Sequence, residues 1–285
     1  MKHVRATLPA GPPAGSPPPP SHGRVHHRGG IVSSLVGFVG ELLITAGVFL
    51  GLFVVWQLWW TDVQAERIHT EVLAELEWTP PPAPVDDGPQ VSPEYRDDPP
   101  VMDEPPIGEV FAEFYVPRWG ADYVSPVAQG VDKATILDRL GIGHYPGTAM
   151  PGDLGNFAVA GHRTTYGKPF HLVADLKEGD ALVVRTEDTW YVYRMTSHEI
   201  VWPNQVEVVS PVPGVEPGEP LPELTQRFLT MTACHPMYSA AQRYVVHGEL
   251  DYWSPVDEGT PAELLDAGVD VQAAGTSAPA PAGVR

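Results

Sequence analysis

Two kinds of hydrophobic pattern divide the chain. Between Ile31 and Trp60 the residues are almost continuously apolar, with only Thr45 and Gln57 interrupting Leu42–Trp60. At ~1.5 Å per residue, about 20 residues in a helix cross a ~30 Å hydrocarbon core, so this stretch predicts a transmembrane helix. Trp56, Trp59 and Trp60 suit one membrane interface. The run is too long for a cleaved signal peptide, and no small-residue cleavage site follows it. From 107 to 255 the pattern changes to short apolar runs punctuated by Gly, Pro, Asp and Asn, which predicts a mainly β domain. Strands are expected over Phe111–Pro117, Asn156–Gly161, Ala181–Thr186, Thr189–Val201, Val206–Val209, Phe228–Ala233 and Arg243–Leu250. Glu187–Asp188 fits a tight hairpin. One helix is expected at Asp132–Leu140, with Asp132 as N-cap and Gly141 as its stop. Such short strands suggest a closed barrel or a sandwich.

The segments around these two blocks are distinguished by composition. Residues 1–30 are proline-rich and basic, without an acid, and are expected to be a disordered tail. Val63–Trp78 can form a short juxtamembrane helix with Ile68, Val72, Leu73 and Leu76 on one stripe. Thr79–Pro106 is rich in proline and acids. As an extended linker of ~3.1 Å per residue it would reach roughly 85 Å and hold a domain away from a membrane. Residues 256–285 read as a flexible tail. Basic residues precede the apolar run and acids dominate after it. The positive-inside rule therefore expects a single-pass protein in the cell membrane, with a cytoplasmic N-terminus and an extracytoplasmic domain. The formal net charge of -19 argues against a nucleic-acid partner.

One cysteine is present, so no intrachain disulfide can form. Cys234 ends one expected strand and Arg243 opens the next, so the two can meet across the mouth of a loop. Leu229, Met231 and Ala233 would share one face, and Thr230, Thr232 and Cys234 the other. A thiol of pKa ~8.5 is only slightly ionised at neutral pH and needs a base or a cation nearby. The candidate bases are His144, His162, His171, His198, His235 and His247. His235 adjoins the cysteine and would point the other way. His162 follows an apolar strand, with Gly161 before it, and would sit at a site mouth. Taken singly, His162 reads more readily as a surface or hydrogen-bonded histidine, and Cys234 as a small buried hydrophobe.

Together the blocks AGHR, LTMTAC and QRYVVHGEL, in this order, resemble the sortases, the cysteine transpeptidases of Gram-positive surfaces. The resemblance covers roughly 111–253. The stretches GHYPGTAMPGDLGN and CHPMYSAAQRYVVHGEL are similar to the class E branch. One departure stands out: the usual Thr-Leu-Thr-Thr-Cys is here Thr230-Met231-Thr232-Ala233-Cys234. The resemblance implies an eight-stranded sortase barrel with one or two short helices. It further implies that Cys234 attacks an LPXTG-like sorting signal at its threonine carbonyl, that His162 moves protons, and that Arg243 holds the oxyanion. A surface protein would then pass to a cell-wall amine acceptor, without a cofactor or metal. Class E sortases favour LAXTG, a preference tied to a tyrosine before the histidine, which is Tyr145 here. Thr232 would line the same groove. Three alternatives stay open. A metal hydrolase using His144, His162, His171 and Cys234 lacks HExxH or CxxC spacing. A different thiol transpeptidase would act on peptidoglycan stems. A non-enzymatic wall-spanning scaffold would need none of the three polar groups.

Overall fold

The computed structural model describes residues 30–76, 78–82 and 89–271. The expected N-terminal tail, apart from Gly30, and the chain beyond 271 lie outside the described residues. Two compact units are present, Met1–Leu52 and Phe53–Arg285. Helix α1 spans Ile31–Glu75. It is long and apolar enough to cross a membrane by length and composition. The expected break before Val63 does not occur. No proline or glycine stands between Leu52 and Thr79, so nothing stops the helix there.

The second unit is built on eight strands: β1 Val110–Tyr115, β2 Val124–Gln129, β3 Ile142–His144, β4 Gly155–Gly161, β5 Ala181–Arg185, β6 Thr189–Val201, β7 Arg227–His235 and β8 Gln242–Pro255. They close into a barrel in the order β1-β2-β3-β4-β7-β8-β6-β5. Closure leaves no free sheet edge. Alternation along the strands fills the interior with Phe114, Phe157, Leu182, Tyr193, Met231 and Val246, all buried. β4 runs parallel to β7, whereas β7 and β8 are antiparallel.

Several expectations are corrected. Val206–Val209 is a 3-10 turn, not a strand. Pro203, Pro211 and Pro213 bracket it and limit extension of a ladder on either side, and just before it the Gln205 side chain accepts from the Trp202 N–H at 2.8 Å. Its Val208 packs on Val201 and Val245, covering part of the outer wall. The helix expected over 132–140 is a single wide π-type turn, Lys133–Leu137, tightened by further turns to Leu140. Its cap is as expected, with Asp132 Oδ1 accepting from the Thr135 N–H at 2.9 Å. β2 and β3 were not anticipated. Pro126 interrupts the first pattern, and the second is only three residues long.

The expected spacer does not stand free where it is described. Residues 89–106 lie along the barrel: Tyr95 bridges Trp253, Tyr191 Oη donates to Pro100 O at 2.7 Å, and Arg227 pairs with Asp98 at 2.6 Å. The folded body also runs past 255. Helix α2, Ala262–Asp266, buries Leu264, and Val269 and Val271 join it over Trp190 and Val192 on the outer face of the barrel. Alternating strands bury both faces here, and the polar spacing of the segment hid its three apolar anchors.

Candidate active site

The register of β7 against β8 sets Cys234 directly opposite Arg243. Thr232 and Thr230 pair with Val245 and His247 in the same ladder, two and four positions on. On the opposite face Ala233 pairs with Tyr244 and Met231 with Val246, and these four belong to the interior. Cys234 and Arg243 therefore stand on the outer wall. Cys234 is half-buried and free. The Arg243 guanidinium is tethered to its own loop, with Nη1 donating at 3.0 Å to both Ala240 O and Gln242 O. Those bonds fix where the fork lies while leaving its other N–H groups for further acceptors.

β4 brings the histidine. Gly161 pairs with Ala233 in the parallel ladder, and His162 and Cys234 are the next residues on the two strands. The side chain is only 12% exposed, and its Nε2 lies 2.7 Å from Asp138 Oδ1. Tyr166 packs on the ring at 5.2 Å between centroids. Gly161 has no room for a side chain, because a Cβ there would come within 2.7 Å of the Phe170 ring. The turn into His162 thus depends on glycine.

Arg163, the next residue, is buried on the inner side of the same corner. Its Nη1 lies 2.9 Å from His235 Nδ1, and its guanidinium sits 5.4 Å from the Tyr244 ring centroid. A guanidinium only donates, so His235 accepts at Nδ1. The ends of β4 and β7 are tied together from within by this bond. Sequence reasoning placed His235 away from the cysteine's face, and that is where it lies. It did not single out Arg163.

The remaining candidates are distributed as follows. Tyr145, just past β3, places its Oη 3.0 Å from Thr232 Oγ1, and Thr232 donates to Val159 O at 3.3 Å. Thr232 has one proton, so Tyr145 is the donor in their mutual bond. The pair joins β3, β4 and β7 beside the cysteine's column. His144 is wholly buried between Phe111 and Phe157, with Nδ1 2.7 Å from Gln129 Oε1. Burial pushes its pKa down to about 4. His171 bonds Arg163 O, His198 stacks on Tyr244, and His247 bridges Thr230 and Glu199. Among the described residues no group of three His, Cys, Asp or Glu side chains is arranged to hold a metal. Asp138 is the member that sequence reasoning missed. It lies in the 132–140 turn, and no spacing links it to residue 162.

The sortase domain profile matches residues 114–251. Sortase SrtE1 of Streptomyces coelicolor is 36% identical over 239 residues, covering 80% of this chain and 60% of that protein. Sortase SrtE2 of the same organism is 33% identical over 259 residues, covering 85% of this chain and 93% of that protein. The chain belongs to the sortase family. Members of this family are cysteine transpeptidases. The fold agrees: the SrtA sortase from Actinomyces oris superposes with a TM-score of 0.56 at 39% identity, over 62% of this chain and 100% of that one. Its two Streptomyces relatives make this a class E-type sortase by sequence, with the sortase barrel intact from β1 to β8.

Proposed function

We propose that this sortase is a single-pass membrane protein that cleaves an LAXTG- or LPXTG-type sorting signal between Thr and Gly and joins the threonine to an amine of the cell wall. The observation that carries the reading is the strand register, which sets Cys234 opposite Arg243 and makes His162 its neighbour across the parallel ladder. In the first half-reaction the Cys234 thiolate attacks the threonine carbonyl carbon. Arg243 donates to the oxygen as it gains charge. The intermediate collapses by breaking the C–N bond, and His162 as imidazolium gives its proton to the leaving glycine amine. A thioester remains on Cys234. In the second half-reaction an acceptor amine attacks that thioester, neutral His162 takes its proton, and the thiolate leaves. Protons and charge balance, and no cofactor is required.

Tyr145 and Thr232 are the substrate-binding candidates. Their shared hydrogen bond stands beside the cysteine's column, and this placement supports a role in reading the residue that distinguishes LAXTG from LPXTG. The substrates would be surface proteins carrying the signal, and the acceptor a cell-wall precursor. The apolar α1 supports the anchor, and the basic residues before it support a cytoplasmic N-terminus and an outward-facing barrel. The test is cleavage of fluorogenic LAXTG and LPXTG peptides by the wild-type chain and by Cys234→Ala. Loss of the covalent nucleophile is expected to lower the rate by about 10³-fold or more, with an unchanged thermal transition. A Cys234→Ala variant that still cleaves would remove the thiol from the reaction.

A further inference from the structure

The histidine of this site is held by a carboxylate. We propose that Asp138 is the positioning residue of His162: it keeps the ring proton on Nε2 and so assigns proton exchange with the substrate to Nδ1. The inference rests on the catalytic reading of His162 given above, and adds the tautomer and the residue that sets it.

Geometry carries the argument. Asp138 Oδ1 lies 2.7 Å from His162 Nε2, and the two side chains are 16% and 12% exposed. A carboxylate only accepts, so the ring nitrogen facing it is the one bearing hydrogen, whether the ring is neutral or charged. Among the described residues no hydrogen bond from the protein reaches Nδ1, which is left to exchange its proton. The carboxylate is itself oriented. Its other oxygen, Oδ2, lies 3.1 Å from Lys133 Nζ, and its backbone N–H donates to Lys133 O at 2.8 Å. Lys133 Nζ also sits 5.3 Å from the Tyr166 ring centroid, and Tyr166 packs on His162. The chain Lys133–Asp138–His162 thus clamps the imidazole from one side, with Tyr166 against its face.

The other charged groups of the neighbourhood are engaged elsewhere. Arg163 turns inward to His235, Lys168 pairs with Asp62 at 2.7 Å, and Arg243 is tethered to its loop carbonyls. Cys234 is the remaining titratable group on the strand beside His162. Asp138 is therefore the carboxylate within hydrogen-bond reach of the ring among the described residues, and the wide turn 133–137 is the device that places it. The five-residue turn does not need a carboxylate at 138 for its capping. Asp132 already caps it.

The experiment reads the proton directly. The full chain, labelled with ¹⁵N-histidine and held in nanodiscs, is compared with Asp138→Ala, Asp138→Glu and Asp132→Ala, with His162→Gln assigning the signal. At alkaline pH, where imidazoles are neutral, wild type is expected to show His162 with Nε2 protonated and Nδ1 bare. Asp138→Ala should turn this into a mixture of tautomers. It should also lower kcat for peptide cleavage roughly tenfold or more, part of the ~10²–10⁴-fold that positioned proton transfer contributes, with KM little changed. Asp138→Glu should restore part of both. Asp132→Ala, which loosens the same turn without touching His162, should lower Tm but leave the tautomer as in wild type. A wild-type ring protonated mainly on Nδ1, an unchanged spectrum in Asp138→Ala, or full loss reproduced by Asp132→Ala would overturn the proposal. A wild-type chain that cleaves no sorting peptide would instead defeat the functional reading, while the spectra still decide the role of Asp138.

Discussion

Register places Cys234 opposite Arg243 and sets His162 one residue past the Gly161–Ala233 pair. Cys234 is a single β7 position from the interior residue Ala233, and a slip of one residue would turn the thiol into the core. The same alternation was readable in the sequence: Thr230, Thr232 and Cys234 on one face, Leu229, Met231 and Ala233 on the other. The departure from the family's usual pattern is explained at this level. Met231 and Ala233 both lie in the interior, so the missing hydroxyl at 233 faces packing rather than the groove. What could not be read was any partner brought by the tertiary fold, such as Asp138 for His162 or Arg163 for His235. Their sequence separations of 24 and 72 carry no periodic signal. His144 illustrates the opposite case, a histidine whose chemistry is excluded by burial. Its folded pKa of about 4 lies below the ordinary 6.5, so the unfolded chain binds the proton first. Stability is therefore expected to fall as pH drops from about 6.5 toward 4, by on the order of 3 kcal/mol from this group. Urea denaturation across that range checks it: His144→Gln should show a shallower pH slope than wild type, and an equal slope would contradict the assignment.

At the level of elements, strands with strong apolar alternation were legible and irregular ones were not. β4 through β8 begin close to their expected places, because each presents a largely apolar run between turn residues, although β8 continues past Leu250 to Pro255. β2 holds a proline and β3 has only three residues, so their pairing is imposed by the barrel. Val206–Val209 looked like a strand because three of its four residues are valine, yet flanking prolines leave it without a ladder. The stretch past 255 is the more consequential case. An Ala- and Gly-rich composition reads as a tail, but Leu264, Val269 and Val271 close an outer apolar layer over β5, β6 and β8. Leu264→Ala is expected to destabilise the barrel by about 2–5 kcal/mol, as for other buried leucines. Thermal unfolding tests this, and an unchanged Tm would mean that the segment is not part of the fold.

For the whole molecule, the described part of the proline-rich segment is a strap rather than a spacer. Residues 89–106 run along the barrel and are bonded at Tyr95, Asp98 and Pro100, which removes much of the reach that composition alone suggested. Sidedness can be read without engineering, because Cys234 is the single cysteine and is half-buried rather than sealed. A membrane-impermeant maleimide applied to intact cells is expected to label it. Labelling only after the cells are opened would reverse the orientation. The proposed reaction takes place at one sulfur. Its most direct test is intact-mass spectrometry of the full chain after incubation with an LAXTG peptide and no added amine. The account predicts an adduct on Cys234 equal to the peptide truncated after threonine, discharged by an added amine nucleophile and not formed by Cys234→Ala. A chain that releases the glycine fragment with no adduct, and does so equally well as Cys234→Ala, would contradict it.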